Sequence, residues 1–119
     1  MKIIQVTTYP FGRDHNLQRE ILESSGWEVR YNPYDRRLSN EEVKDLVRDA
    51  SAIVAGTETY DREIIESCEN LEMICRVGIG LDSVDLEACK DNNIIVTYTP
   101  EAPSDSVAEL TVAQIINLL

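Results

Sequence analysis

The sequence predicts an α/β fold, a flavodoxin-like, doubly wound, five-stranded parallel sheet of order 2-1-3-4-5. Three observations carry that expectation. Short apolar runs alternate with amphipathic stretches along the chain, and strands that alternate with helices at this spacing pair in parallel through right-handed crossovers. The central run Ser51-Ala52-Ile53-Val54-Ala55 shows no polar–apolar alternation, as befits a strand covered on both faces. The length, 119 residues, fits one domain, and 43% hydrophobic residues can build its core.

The elements follow in order. Lys2-Ile3-Ile4-Gln5-Val6-Thr7 is the first strand. Residues 16 to 25 form a helix with Leu17, Ile21 and Leu22 on one face, and Gly26 stands just past its end. Trp27-Glu28-Val29-Arg30-Tyr31 alternates as an edge strand does, and Asn32-Pro33-Tyr34 breaks it. Ser39-Asn40-Glu41-Glu42 is a capping box, a serine answered three residues later by a glutamate. It opens a second helix with Val43, Leu46 and Val47 inward. Ser51 to Ala55 is the third strand, Asp61 to Cys68 the third helix and Leu71 to Val77 the fourth strand. Ser83 to Asn92 is the fourth helix and Ile94 to Thr97 the fifth strand. Ser106-Val107-Ala108-Glu109 is a second capping box, and its helix runs to Leu119.

That last helix is apolar over more than the stripe, roughly 100° wide, that one sheet face requires. Residues 106–119 are therefore expected to bury a second side, most simply by self-association as a two-fold dimer.

Composition excludes several functions. With 22 acidic against 11 basic residues the net charge is −11, which argues against nucleic acid and against an anionic membrane surface. No window approaches the roughly 20 apolar residues of a membrane span, and no secretory leader pattern follows Met1-Lys2, so the expected location is cytoplasmic. Cys68, Cys75 and Cys89 are odd in number, lack C-x-x-C spacing and sit in apolar surroundings, the pattern of free buried thiols. The single histidine, His15, lies among polar residues at a helix start and is expected to be solvated. No acid pair, Cys–His pair or ligand cluster stands out, so no catalytic residue and no metal ligand is assigned.

Ligands of an open parallel sheet bind beyond the carboxyl ends of its strands. Of the loops there, Val77-Gly78-Ile79-Gly80 is the most informative. Two glycines at a strand-to-helix turn let a ligand approach the backbone and expose its N–H groups, and a helix N-terminus behind them favours an anion. A structural tight turn and a carboxylate or phosphate site both remain open. A full dinucleotide fingerprint is absent, because its third glycine would fall at Ser83. A phospho-receiver would need acids after strand one and a lysine after strand five, where Thr7-Thr8 and Tyr98 stand. A flavin-phosphate loop after strand one is interrupted by Pro10-Phe11.

Leu71-Glu72-Met73-Ile74-Cys75-Arg76-Val77-Gly78-Ile79-Gly80-Leu81-Asp82-Ser83-Val84-Asp85-Leu86-Glu87-Ala88-Cys89 resembles the D-2-hydroxyacid dehydrogenase family, particularly its phosphoglycerate dehydrogenase branch. So do Ile94-Ile95-Val96-Thr97-Tyr98-Thr99-Pro100 and Ser106-Val107-Ala108-Glu109-Leu110-Thr111, in the same order and separation. Residues 1–70 fit in element order, with looser matching. The resemblance implies that residues 1–119 are the substrate-binding lobe of a two-lobed enzyme that passes a hydride between NAD and C2 of a 2-hydroxy or 2-keto acid. It implies that Val77, Gly78, Ile79 and Gly80 bind the substrate carboxylate, that Ile79 also lies near the nicotinamide, and that residues 104–119 cross toward the cofactor lobe. The family's catalytic arginine, glutamate and histidine and its NAD-binding Rossmann domain lie further downstream than Leu119, so this chain is expected to be inactive by itself. Two departures bear on substrate. Gly56-Thr57 stands where many phosphoglycerate dehydrogenases have Arg-Ser, and Tyr98-Thr99-Pro100 where many members have Asn-Thr-Pro. The alternative is a free-standing flavodoxin-like binding module without catalysis.

Overall fold

The computed structural model describes residues 2–9, 11, 16–78, 80–98 and 115–116. The elements are β1 (Ile3–Val6), α1 (Asn16–Glu23), β2 (Glu28–Arg30), α2 (Asn40–Val47), β3 (Ala52–Ala55), α3 (Arg62–Ser67), β4 (Met73–Arg76), α4 (Leu86–Asp91) and β5 (Ile95–Tyr98). The five strands form one sheet of order β2-β1-β3-β4-β5, parallel throughout, as the sequence predicts. The register sets Ile4 beside Val29 and Ala52, and Ala55 beside Arg76.

Side chains of a strand alternate between the two faces, and the sheet accordingly divides two cores. Ile53, Ala55 and Ile74 join Val43 and Val47 of α2, Ile64 and Ile65 of α3 and Ala88 of α4. On the other face Ile4, Val6, Val54 and Cys75 pack with Leu22 of α1 and with Ile115. All of β3 is buried, which explains its unbroken apolar run. Each isoleucine enclosed in this way contributes roughly 1.5–3 kcal/mol. The edge strands show the opposite pattern: Glu28 and Arg30 on β2, and Ile95 and Tyr98 on β5, are exposed.

Some expectations shift. Leu17, expected inward on α1, is 51% exposed, whereas Gln18 is 4% exposed. The stripe facing the sheet runs through Gln18 and Leu22, four residues apart on one face, and Leu17 falls about 100° away. The fourth helix begins at Leu86, not Ser83. Before it, Val84 bridges in parallel with Tyr60; the Tyr60 amide donates to the Ser83 carbonyl at 2.7 Å and the Asp85 amide to the Tyr60 carbonyl at 2.9 Å. Those bonds hold the chain extended until the Asp85 carboxylate caps the helix by accepting from the Ala88 amide at 3.0 Å. The capping box of α2 forms as its sequence specifies.

All three cysteines are free. Cys75 and Cys89 are buried and Cys68 half-buried, and burial pushes each thiol up to about 11. His15, the second capping box and most of the 104–119 helix lie outside the described residues. Ile115 and Ile116 are helical; Ile115 is fully buried and Ile116 is 39% exposed. No helix among the described residues is long and apolar enough to cross a membrane.

Candidate functional site

Three neighbouring strands deliver their carboxyl ends to one edge of the sheet. β1 leads into Thr7-Thr8, β3 into Gly56-Thr57-Glu58 and β4 into Val77-Gly78. The floor of this edge is a buried polar network. The Thr7 and Tyr60 hydroxyls share a hydrogen bond of 2.6 Å, and Thr7 Oγ1 also donates to the Val54 carbonyl at 3.2 Å. Glu58, only 3% exposed, accepts on Oε2 from the Gly56 amide at 3.1 Å and lies 3.5 Å from Thr7 Oγ1. Burial, followed by the Glu58 charge, pushes the Tyr60 hydroxyl far above its ordinary value, while Arg76 acts in the opposite sense. Tyr60 is therefore a neutral hydrogen-bonding post and no base. Gly56 fits because a Cβ there would lie 3.0 Å from both Thr8 Cβ and Glu58 Oε2.

The β4 loop is built on Arg76. Its Nη1 donates to the carbonyl of Val77, and its Nε is buried without a hydrogen-bond partner. The Val77 amide donates to the Ala55 carbonyl at 2.9 Å, extending the β3–β4 ladder by one residue. Gly78 then takes φ +143°, where a Cβ would come 2.5 Å from Arg76 Nη1. Only glycine is at ease in that backbone region. Around Gly80, no described residue comes within 4 Å of the place of a Cβ. The structure thus brings Val77, Gly78 and Gly80 to the edge beside the β3 loop; Ile79 lies outside the described residues. Since Asp85 fills the N-terminus of α4, that helix is not the anion-attracting element behind the glycines. The nearby positive charge is Arg76.

The loop after β2 contributes more than its edge position suggests. Asn32 is 4% exposed and ties three backbones together. It donates to the Thr7 and Arg36 carbonyls at 2.9 and 2.8 Å and accepts from the Tyr34 amide at 2.7 Å. From this loop Arg37 reaches across the edge and donates to the Thr57 carbonyl at 3.0 Å. A cavity of about 320 Å³ opens on the β1–β2 side, lined by Thr8, Tyr9, Phe11, Tyr31 and Asn32 among others; neither Gly78 nor Gly80 is among its described lining residues. Residue reading did not find Glu58, Tyr60, Asn32 or Arg37. In sequence each is an ordinary loop residue, and only the pairing of distant segments gives it a place. Among the described residues no group of His, Cys, Asp and Glu is arranged to hold a metal.

Comparison with known proteins supplies the context. The family described as D-isomer specific 2-hydroxyacid dehydrogenase, catalytic domain, matches residues 9–114. The chain is similar to D-3-phosphoglycerate dehydrogenase of Methanocaldococcus jannaschii, with 43% identity over 75 residues, covering 62% of this chain and 14% of that protein. It is similar to the Homo sapiens D-3-phosphoglycerate dehydrogenase at 35% identity over 101 residues, covering 84% of this chain and 18% of that protein. Among solved structures, the NAD+-bound 3-phosphoglycerate dehydrogenase of Entamoeba histolytica superposes with a TM-score of 0.70 at 35% identity, covering 84% of this chain and 33% of that one. The matches span from 14% to 35% of the length of the curated relatives.

Proposed function

The chain belongs to the D-isomer specific 2-hydroxyacid dehydrogenase family, in its catalytic domain, and we propose that it is the substrate-binding lobe of an NAD-dependent enzyme interconverting a small 2-hydroxy acid and its 2-keto acid. The observation that supports this most directly is the β4 loop. Gly78 can follow its path only without a side chain, no described residue comes within 4 Å of a Cβ at Gly80, and the Arg76 guanidinium holds the Val77 carbonyl just before them. A loop with one carbonyl tied down and two glycines can turn N–H groups toward a carboxylate, the feature common to all such substrates.

Among the described residues, the turn after β4 does not form a dinucleotide cradle. Ser83 takes the third glycine's place, and Asp85 sets a carboxylate at the N-terminus of α4, where a pyrophosphate would have to lie. In this proposal NAD is held by a cofactor lobe of the whole enzyme, which also supplies the catalytic groups, and residues 104–119 cross toward it. The part left to residues 1–119 is to bind and orient the acid, with Val77, Gly78, Ile79 and Gly80 at its carboxylate and Ile79 nearest the nicotinamide. Self-association through 106–119 and a cytoplasmic location belong to the same proposal.

Two measurements test it. By itself this chain should not reduce NAD with a 2-hydroxy acid, because hydride transfer needs cofactor and catalytic groups held in register; turnover by the purified chain, freed of contaminating enzyme, would overturn the lobe assignment. In the complete enzyme Gly80→Val should raise KM and lower kcat/KM by roughly tenfold or more, the effect of losing a charge-assisted hydrogen bond worth about 1.5–3 kcal/mol. A folded Gly80→Val enzyme with unchanged kinetics leaves the glycines as a plain turn.

A further inference from the structure

We infer that Tyr60 is a positioning residue for the acid. Enclosed beyond the substrate's reach, it ties the glycine loop after β4 to the fixed end of β1, and the loop's hold on a carboxylate depends on that tie. The inference rests on the proposed carboxylate role of the glycine loop and adds a residue that serves the loop from below.

The first support is how the loop is closed. Its entry is fixed where the Val77 amide donates to the Ala55 carbonyl at 2.9 Å. Its exit is fixed on the main chain of Tyr60. The Tyr60 amide donates to the Ser83 carbonyl at 2.7 Å, and the Asp85 amide donates to the Tyr60 carbonyl at 2.9 Å. Between the two clamps the Val84 amide donates to the Leu81 carbonyl at 3.0 Å. Entry and exit thus hang on residues 55 and 60 of one segment, but the two anchors differ. Ala55 belongs to β3, whereas Tyr60 lies past the end of that strand and before α3 begins at Arg62. The exit clamp is only as steady as Tyr60 itself.

The second support is how Tyr60 is held. Its side chain has no exposed surface and belongs to the same core as Ile64, Val84 and Ala88. Its hydroxyl meets Thr7 Oγ1 at 2.6 Å. Thr7 gives its own hydroxyl hydrogen to the Val54 carbonyl at 3.2 Å, so Tyr60 is the donor. Thr7 makes a firm anchor. Its amide donates to the Val54 carbonyl at 3.0 Å, and its carbonyl accepts from Asn32 Nδ2 at 2.9 Å. A ring could fill this space without a hydroxyl, and an enclosed hydroxyl is costly unless it is bonded. The bond to Thr7 accounts for it.

The third support is the span. Thr7 follows β1, Tyr60 follows β3 and Ser83 follows β4, three neighbouring strands of the sheet. One residue joins the three strand ends that build the edge. Because its hydroxyl is enclosed, Tyr60 acts on the acid through the loop and not by contact. A carboxylate held by backbone N–H groups is sensitive to such support, since small displacements of positioning groups cost binding and rate.

The test uses Tyr60→Phe, which keeps the ring and both main-chain bonds and removes the tie. Two readings are taken on the ¹⁵N-labelled chain, well below its unfolding temperature. In amide hydrogen exchange, Val84 and Asp85 should quicken roughly threefold or more relative to Ile53 and Val54 of β3. A bond that served global stability alone would quicken all four alike. In a D-lactate titration followed at Gly80, affinity should fall roughly threefold or more, within the range by which a residue touching no ligand alters binding. Thr7→Val should lower the affinity as well, and Tyr60→Phe added to it should lower it no further, because both remove one bond. Should Thr7→Val not fold, the two Tyr60→Phe readings decide. Uniform quickening, or an unchanged D-lactate affinity in Tyr60→Phe, would overturn the inference and leave the carboxylate loop standing. If D-lactate does not move Gly80 in the parent chain, the inference and the loop's proposed role fall together.

Discussion

At the residue scale the two glycines of the β4 loop are not equivalent. Gly78 is required by its backbone, at φ +143°, and by the Arg76 side chain packed beneath it. At Gly80 no described residue stands within 4 Å of the place of a Cβ, so packing among the described residues makes no demand on it. Gly78→Ala should therefore cost stability, about 1–3 kcal/mol for a strained backbone, read as a lower urea midpoint with unchanged slope. A midpoint equal to wild type would show that the turn relaxes without loss. Because this variant changes stability as well, Gly80→Val is the cleaner probe of binding. The Thr7–Tyr60 pair argues similarly. Removing the Tyr60 hydroxyl as Tyr60→Phe should cost about 1 kcal/mol, the net worth of a buried hydrogen bond, and an unaltered unfolding curve would show that Thr7 needs no such partner.

At the element scale, α2 shows how a local sequence signal becomes a structural support. Ser39 Oγ accepts from the Glu42 amide at 3.3 Å, and Glu42 Oε1 accepts from the Ser39 amide at 2.9 Å. The same carboxylate takes both terminal nitrogens of Arg36. This box closes the loop that presents Arg37, so the start of α2 is also part of the site's frame. Ser39→Ala should destabilise by about 1 kcal/mol. The Arg36 guanidinium, followed by the Ser39 amide, holds the Glu42 carboxyl at about 2, well below its ordinary 4.5. A carboxyl lowered by folding adds stability above its ordinary value, and that stability is lost as pH falls toward the lowered one. The difference in melting temperature between wild type and Glu42→Gln should thus be full at neutral pH and shrink between about 4.5 and about 2. It should be small, since the pair is screened by solvent, and a gap that widened on acidification would contradict the assignment.

At the scale of the whole molecule, the far end of the chain closes one of the two cores. Ile115 packs with Ile4, Val54 and Cys75 and has no exposed surface, whereas its neighbour Ile116 is 39% exposed. Substitution at the two positions should therefore separate folding from association. Ile115→Glu places a charge in the core and should cost roughly 3 kcal/mol or more, seen as loss of the cooperative unfolding transition. Ile116→Glu should fold, and it is the informative variant for self-association through 106–119. Light scattering should show a dimer for the parent chain and a monomer for Ile116→Glu; a parent that stays monomeric at high micromolar concentration ends that proposal.

What the sequence determined by itself was the kind of fold and the order of its strands. Apolar periodicity, the all-apolar β3 and the Ser39 capping box are local signals, and a right-handed parallel sheet is the arrangement that satisfies them. The family, too, was legible, in the run from Leu71 to Cys89 and the segments after it. Helix limits and facing were less so. Leu17 turned outward and α4 started late because packing against the sheet and the Tyr60–Val84 pairing outweighed local preference. Only the tertiary structure decided which polar residues serve the carboxyl edge. Glu58, Tyr60, Asn32 and Arg37 acquire their places from contacts between segments distant in sequence, such as the 53 residues between Thr7 and Tyr60. Hydrophobic patterning records which residues leave water, but a hydrogen bond between distant segments has no period for a single sequence to display.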